Sequence, residues 1–257
     1  MNVNPLKAKW AARQTVLGVM LAYSRDVATI EIAAAAGLDF ILLDLEHRPH
    51  GPESVHDLSQ VARLAGLASL VGPKDISHHA ISHALDLGAS GVVVPHVSTV
   101  DEVRTIIEAV RYAPRGTRGR AGTAGHNLYV PGRPMAEEMD EYDQSVALLL
   151  KVESEAAIRD IDDLVASDEV DGVMVGPADL SIDMGIAGQI RHERILDATR
   201  RVRDSCKRRG IHYGVYLMSP DGLGAAIEDG ASWIVLGSEM DALAQAWSGA
   251  RELVDPG

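Results

Sequence analysis

Glu153 and Asp179 each close a short apolar run of strand length: residues 146–152 precede the first, and Gly172-Val173-Met174-Val175-Gly176 with Pro177-Ala178 precedes the second. Between them Ala156, Ala157, Ile161, Leu164 and Val165 recur at roughly helical period. A parallel strand–helix–strand unit brings both strand ends to one edge of the sheet, so the two carboxylates are expected to converge at one rim. Two carboxylates at a rim suit a hard divalent cation such as Mg²⁺, which takes oxygen ligands and keeps several waters. Either acid alone reads as a helix cap, for dipole and hydrogen-bonding reasons. The pair, each behind a buried-type strand, favours a metal.

Other apolar runs end in residues that carry chemistry. Asp44, Glu46 and His47 follow the run at 40–44, Gly72-Pro73-Lys74 follows 68–71, and His96 follows 91–95. A metal pair and a histidine on one rim suit removal of a proton beside a carbonyl that the metal polarises. Any one of ten histidines is more often a surface or satisfied core residue. His47 is better placed than most, because a neighbouring carboxylate fixes a histidine's tautomer and raises its basicity. His79 and His83 share a helical i,i+4 spacing near His78. No acid motif accompanies them, so they read as solvated or as subunit contacts.

These residues need a scaffold that gathers strand ends. Strand-like runs at 15–23, 40–44, 68–71, 91–95, 146–152, 172–176, 213–217 and 233–237 alternate with helical patterns. Ser24 is placed to cap a helix through Ala36, which Gly37 stops. Further helices are predicted at 53–65, 77–87, 99–112, 191–209, 221–229 and 240–254. Eight strands alternating with helices over this length is the count of a (β/α)₈ TIM barrel, whose active sites lie at the carboxyl ends of the strands. A doubly wound sheet is disfavoured because no glycine-rich fingerprint follows the first strand. No linker interrupts the rhythm, so one domain over 1–257 is expected, with a short N-terminal lead-in and a closing C-terminal helix. From 113 to 143 the pattern breaks into a stretch dense in Gly, Pro and Arg, and a loop of that length is usually functional.

Composition sets outer limits. The 257 residues suffice for a large core, and with aromatics at 4% of residues the aliphatic side chains must fill it. The formal charge of −13 argues against nucleic acid and against an electrostatically anchored membrane protein. The single cysteine, Cys206, excludes an internal disulfide and reads as an incidental thiol. No apolar leader or membrane-length run is seen, so the chain reads as soluble and cytoplasmic.

The segments GLDFILLDLEHRPH (37–50), LDLGASGVVVPHVSTVDE (85–102), YAPRGTRGRAG (112–122), the stretch from Leu148 through GPADLS to Gly188, and GASWIVLGSEMDAL (230–243) resemble the HpcH/HpaI aldolase/citrate lyase family. These are metal-dependent class II aldolases of 2-keto-3-deoxy and 4-hydroxy-2-oxo acids. The resemblance implies Mg²⁺, Mn²⁺ or Co²⁺ held by Glu153 and Asp179, with His47 as base assisted by Asp44 and Glu46. It implies that Asp86 reaches into a neighbouring subunit's site, within a homohexamer. Pyruvate or a related 2-oxo acid would chelate the metal, with its carboxylate near the backbone of Gly176, Pro177, Ala178 and Asp179. A metal-stabilised enolate would then add to an aldehyde, or form in the reverse cleavage.

One position departs from the pattern. The family carries an arginine at the end of the third strand, where this chain has Gly72. Loss of such a stabiliser costs roughly 10²–10³ in rate unless something replaces it. Lys74, Arg118 and Arg120 are the candidate replacements, and a lysine is an imperfect stand-in for a bidentate arginine. The same departure keeps open a lyase or decarboxylase acting on a different carbonyl substrate. A binding barrel without turnover is the rival from another class, and the joint presence of Glu153, Asp179 and His47 disfavours it.

Overall fold

In the computed structural model, which describes residues 4–127, 129 and 134–254, every predicted strand forms. They are β1 (Val16–Leu21), β2 (Phe40–Asp44), β3 (Ala68–Gly72), β4 (Gly91–Val94), β5 (Ala147–Val152), β6 (Gly172–Val175), β7 (His212–Leu217) and β8 (Trp233–Ser238). All pair in parallel, in chain order, and β8 closes on β1. The chain is a (β/α)₈ barrel. The near-continuous apolar strands are explained by burial on both faces. Along β2, Phe40 and Leu42 point into the barrel while Ile41 and Leu43 pack beneath the helices. The interior is sealed at the amino end of the strands by the lead-in helix Pro5–Ala11, whose Leu6 and Trp10 join the inner core. Asn4 anchors that plug by donating to the carbonyls of Ser90 and Ser145, both at 2.8 Å.

Aromatics are few, and glycine makes room for those inside. A Cβ on Gly214 would fall on the Trp233 ring, and one on Gly18 would fall on Phe40. The alternation continues to the carboxyl end, where Asp44, Gly72 and Lys151 occupy inward positions of their strands and Gly176 follows directly on β6.

The helices depart from expectation in four places. The helix after β1 is Ala28–Ala35 with Val27 at its start, so Ser24 is not its cap. Instead the Ser24 amide donates to Glu239 at 2.8 Å. The stretch 113–143 is not all loop, because Met135–Ser145 forms a helix and Gly125–Asn127 a 3₁₀ turn; residues 128 and 130–133 lie outside the described residues. The segment MAEEMDEYDQS is rich in helix formers but too polar to show a strong apolar stripe. The helical run after β5 breaks at Asp160 into Glu155–Arg159 and Ile161–Leu164. A short helix, Pro177–Asp183, follows β6 directly.

The closing helix Glu239–Val254 buries none of its residues. Its Trp247 is 69% exposed, and Leu243, Leu253 and Val254 are exposed with it. Among the described residues no helix is long and apolar enough to cross a membrane.

Candidate active site

The turn after β2 is built by Asp44. Its Oδ1 accepts the amides of Glu46 at 2.9 Å and His47 at 3.2 Å, folding the chain so that both side chains sit at the carboxyl rim. Glu46 then reaches two histidines: His47 Nε2 lies 3.6 Å from Oε2, and His96 Nε2 lies 2.7 Å from Oε1. His96 leaves β4 with φ +55°, a left-handed conformation that a side-chain-bearing residue adopts only when its surroundings demand it. That turn aims its amide at Glu153 Oε2, 2.9 Å away, and sets ring Nδ1 3.2 Å from the same oxygen. Asp44, Glu46, His47, His96 and Glu153 thus form one continuous chain of contacts.

Glu153 is 4% exposed. Burial pushes its carboxyl above the usual range, while Lys151 and the His96 amide pull the other way. Lys151 projects inward from β5 and places Nζ 2.5 Å from Glu153 Oε1 and 4.0 Å from Asp179 Oδ2. Burial alone would lower the Lys151 ammonium, but Glu153, then Asp179 and Glu46, outweigh it and hold it above its ordinary value. The two predicted metal carboxylates therefore already flank a positive charge.

The donor set fits a divalent cation. Both are hard oxygen donors at one rim, and the Glu153 carboxylate lies directly against the β6 end, where a Cβ on Gly176 would collide with its Oε1. Among the described residues no cluster of three or more ligating side chains is preassembled. Two carboxylates with water completing the shell is the mode Mg²⁺ uses most readily. Gly176→Ala is expected to displace Glu153 and weaken Mn²⁺ binding by roughly 10–100-fold, measured by calorimetric titration. Of the amides expected to meet a substrate carboxylate, that of Gly176 is taken by the Val152 carbonyl at 3.0 Å, and Pro177 has none. The first-turn amides of Ala178 and Asp179 remain, since helix starts lack intrahelical acceptors.

Three predicted residues lie elsewhere within the chain. Asp86 ends the helix His78–Asp86 and meets Arg118 Nη2 at 2.5 Å, at the face where the amino ends of the strands lie. The Arg118 guanidinium is fully buried between the rings of Tyr112 and Tyr142, 5.0 and 4.5 Å from their centroids. Arg120 pairs with Glu138 at 2.7 Å. Neither arginine takes over at Gly72 in its own chain, because each is committed to an acid at the opposite face. Lys74 is on the correct side but faces solvent. Gly72 itself is an open slot: a Cβ there would have its nearest neighbours, the Leu43 and Val93 carbonyls, at an ordinary 3.7 Å.

His96, expected on the rim but given no role there, and Lys151, not expected at all, complete the site. For His96 the one sequence signal is a histidine directly behind a buried strand. For Lys151 it is a lone charge at an inward position of the run LLLKV.

The Arg118 cluster has a pH consequence. Burial, reinforced by Arg118, lowers His126 from 6.5 to about 4. An unfolded chain takes up a proton near pH 6.5 that the folded one refuses, so stability is full above that value and declines as pH falls toward 4. His126→Gln is expected to flatten the loss of Tm between about pH 7 and 4.5.

A family model described as HpcH/HpaI aldolase/citrate lyase matches residues 17–246. The chain is 33% identical over 239 residues to a 2-keto-3-deoxy-L-rhamnonate aldolase of Shigella dysenteriae, covering 91% of this chain and 86% of the relative. It is also 33% identical over 240 residues to a hydroxypyruvate/pyruvate aldolase of Sagittula stellata, covering 93% and 92%. The crystal structure of an HpcH/HpaI aldolase from Desulfitobacterium hafniense superposes with a TM-score of 0.92 at 29% identity, covering 97% of this chain and 96% of that one. The barrel and its matched span together establish that the chain belongs to the HpcH/HpaI aldolase/citrate lyase family.

Proposed function

We propose that this chain is a single-domain, metal-dependent aldolase that joins pyruvate or a close 2-oxo acid to an aldehyde, and cleaves the product. The observation that carries this reading is Glu153, a buried carboxylate held at the rim beside Asp179 and linked through His96 and Glu46 to His47. Glu153 and Asp179 would hold Mg²⁺, Mn²⁺ or Co²⁺, which supplies Lewis-acid polarisation of the keto carbonyl. His47 removes a proton from the carbon next to that carbonyl, and Glu46 orients the ring and balances the charge it gains. In synthesis a proton is then delivered to the alkoxide oxygen formed from the aldehyde; in cleavage the proton is taken from that hydroxyl, the carbon–carbon bond breaks, and a proton returns to the carbon next to the carbonyl.

Asp86 acts in this scheme from a second copy of the chain, since its own barrel keeps it at the far face. The homo-oligomer, a hexamer by family resemblance, is supported by the closing helix, whose apolar residues are left uncovered in one chain. Trp247→Glu is expected to shift the assembly toward smaller species in light scattering. The open slot at Gly72 favours a variant of the same reading, a donor larger than pyruvate such as hydroxypyruvate. The test is a set of incubations of each donor with short hydroxyaldehydes, with Mn²⁺ or with chelator, followed by mass detection of the aldol product. Product that forms with metal and disappears with chelator is expected. No product from any 2-oxo acid donor contradicts the proposal.

A further inference from the structure

We infer that Lys151 is the cation that meets the substrate's oxo-acid oxygens, filling the electrostatic place that Gly72 leaves open. The inference rests on the 2-oxo acid reading of the site and deepens it.

Charge decides the matter first. The rim presents the carboxylates of Asp44, Glu46, Glu153 and Asp179, and an anionic substrate entering among them needs positive charge besides any metal. Cations on that face include Lys74, Arg48 and Lys151, together with Arg25, which donates to the Pro49 carbonyl, and Arg194, which pairs with Glu155 at 2.6 Å. Lys74 faces solvent. Arg48 keeps its Nε 3.8 Å from Asp44 Oδ2, but its guanidinium turns to the β1 side, where Nη1 donates to the Tyr23 hydroxyl at 3.1 Å and the group lies over that ring at 5.2 Å. Lys151 points into the barrel from an inward position of β5, with its Nζ 2.5 Å from Glu153 Oε1 and 4.0 Å from Asp179 Oδ2.

Space decides it second. At the carboxyl end the neighbours of Lys151 include Gly72 and Gly176, which put no side chain into the mouth of the barrel. The four-carbon stem of a lysine swings across such a gap, and its three donors turn toward whichever oxygen is presented. A divalent ion held by Glu153 and Asp179 would repel the ammonium toward the open Gly72 side, where it would meet a carboxylate or keto oxygen of the substrate. The contact is electrostatic, and no covalent bond forms between Lys151 and the substrate.

The test uses Lys151→Met and the double variant Lys151→Met with Gly72→Arg, both in the full-length protein. The probe is oxalate, a planar dianion resembling the enolate, titrated calorimetrically with Mn²⁺ present, alongside Mn²⁺ titrations without it. Lys151→Met is expected to weaken oxalate by roughly 10–100-fold, with Mn²⁺ affinity kept or tightened by removal of the competing charge. The added arginine is expected to recover most of the oxalate affinity, because Gly72 has room for a side chain. Unchanged oxalate binding in Lys151→Met overturns the inference. So does a loss that Gly72→Arg does not restore, a parallel loss of Mn²⁺, or borohydride trapping of pyruvate on Lys151 in the unaltered protein. An unaltered protein that binds oxalate through Lys151 yet exchanges no methyl protons of pyruvate contradicts the enolate chemistry alone.

Discussion

Glu153→Gln is expected to abolish tight Mn²⁺ binding and to slow proton exchange at the methyl group of pyruvate by roughly 10²–10³-fold. Glutamine keeps the shape of the side chain and can still accept the His96 amide, which meets Oε2 at 2.9 Å. What it loses is the charge. A neutral amide is easier to bury than a carboxylate, but the change also takes from Lys151 the partner 2.5 Å from its Nζ, so the two effects on folding oppose each other. The thermal transition is measured alongside, so that loss of the Mn²⁺ signal is read on folded protein. Retained Mn²⁺ affinity in a folded Glu153→Gln protein would place the metal elsewhere.

His47→Ala is expected to lower the same exchange by roughly 10²–10⁴-fold while leaving Mn²⁺ affinity unchanged. The two histidines near Glu46 differ in freedom. His96 is clasped between Glu46 at 2.7 Å and Glu153 at 3.2 Å, so its ring serves to tie two carboxylates together. His47 makes only a 3.6 Å approach to Glu46, leaving its ring free to turn toward a substrate. Exchange that survives in His47→Ala and disappears in His96→Ala, with metal still bound, would move the base to His96.

The barrel was legible because a strand buried on both faces is largely apolar, and six of the eight such runs end at Gly, Pro or an acid. The same rule located Asp44, Glu46, His47, Glu153 and Asp179, since a strand's carboxyl end is also its exit to the rim. Side-chain reach was not legible. Arg118 and Arg120 lie in a stretch dense in Gly, Pro and Arg that reads as a functional loop, yet both are committed to acids at the opposite face. Lys151 hides inside an apolar run, where a charge reads as an interruption until the pleat shows it pointing inward. The helix Met135–Ser145 was hidden by its own polarity. Gly72 was recognised as a departure, but only the structure shows that it leaves a slot and not a strained turn.

The most direct measurement follows pyruvate in D₂O by NMR with the unaltered protein, once with Mg²⁺ or Mn²⁺ and once with chelator. Loss of the methyl signal that requires metal is predicted, and it isolates proton removal from any knowledge of the aldehyde. A protein shown by calorimetry to bind the metal, yet leaving the methyl protons of pyruvate and the C3 protons of hydroxypyruvate unexchanged, would contradict the enolate chemistry.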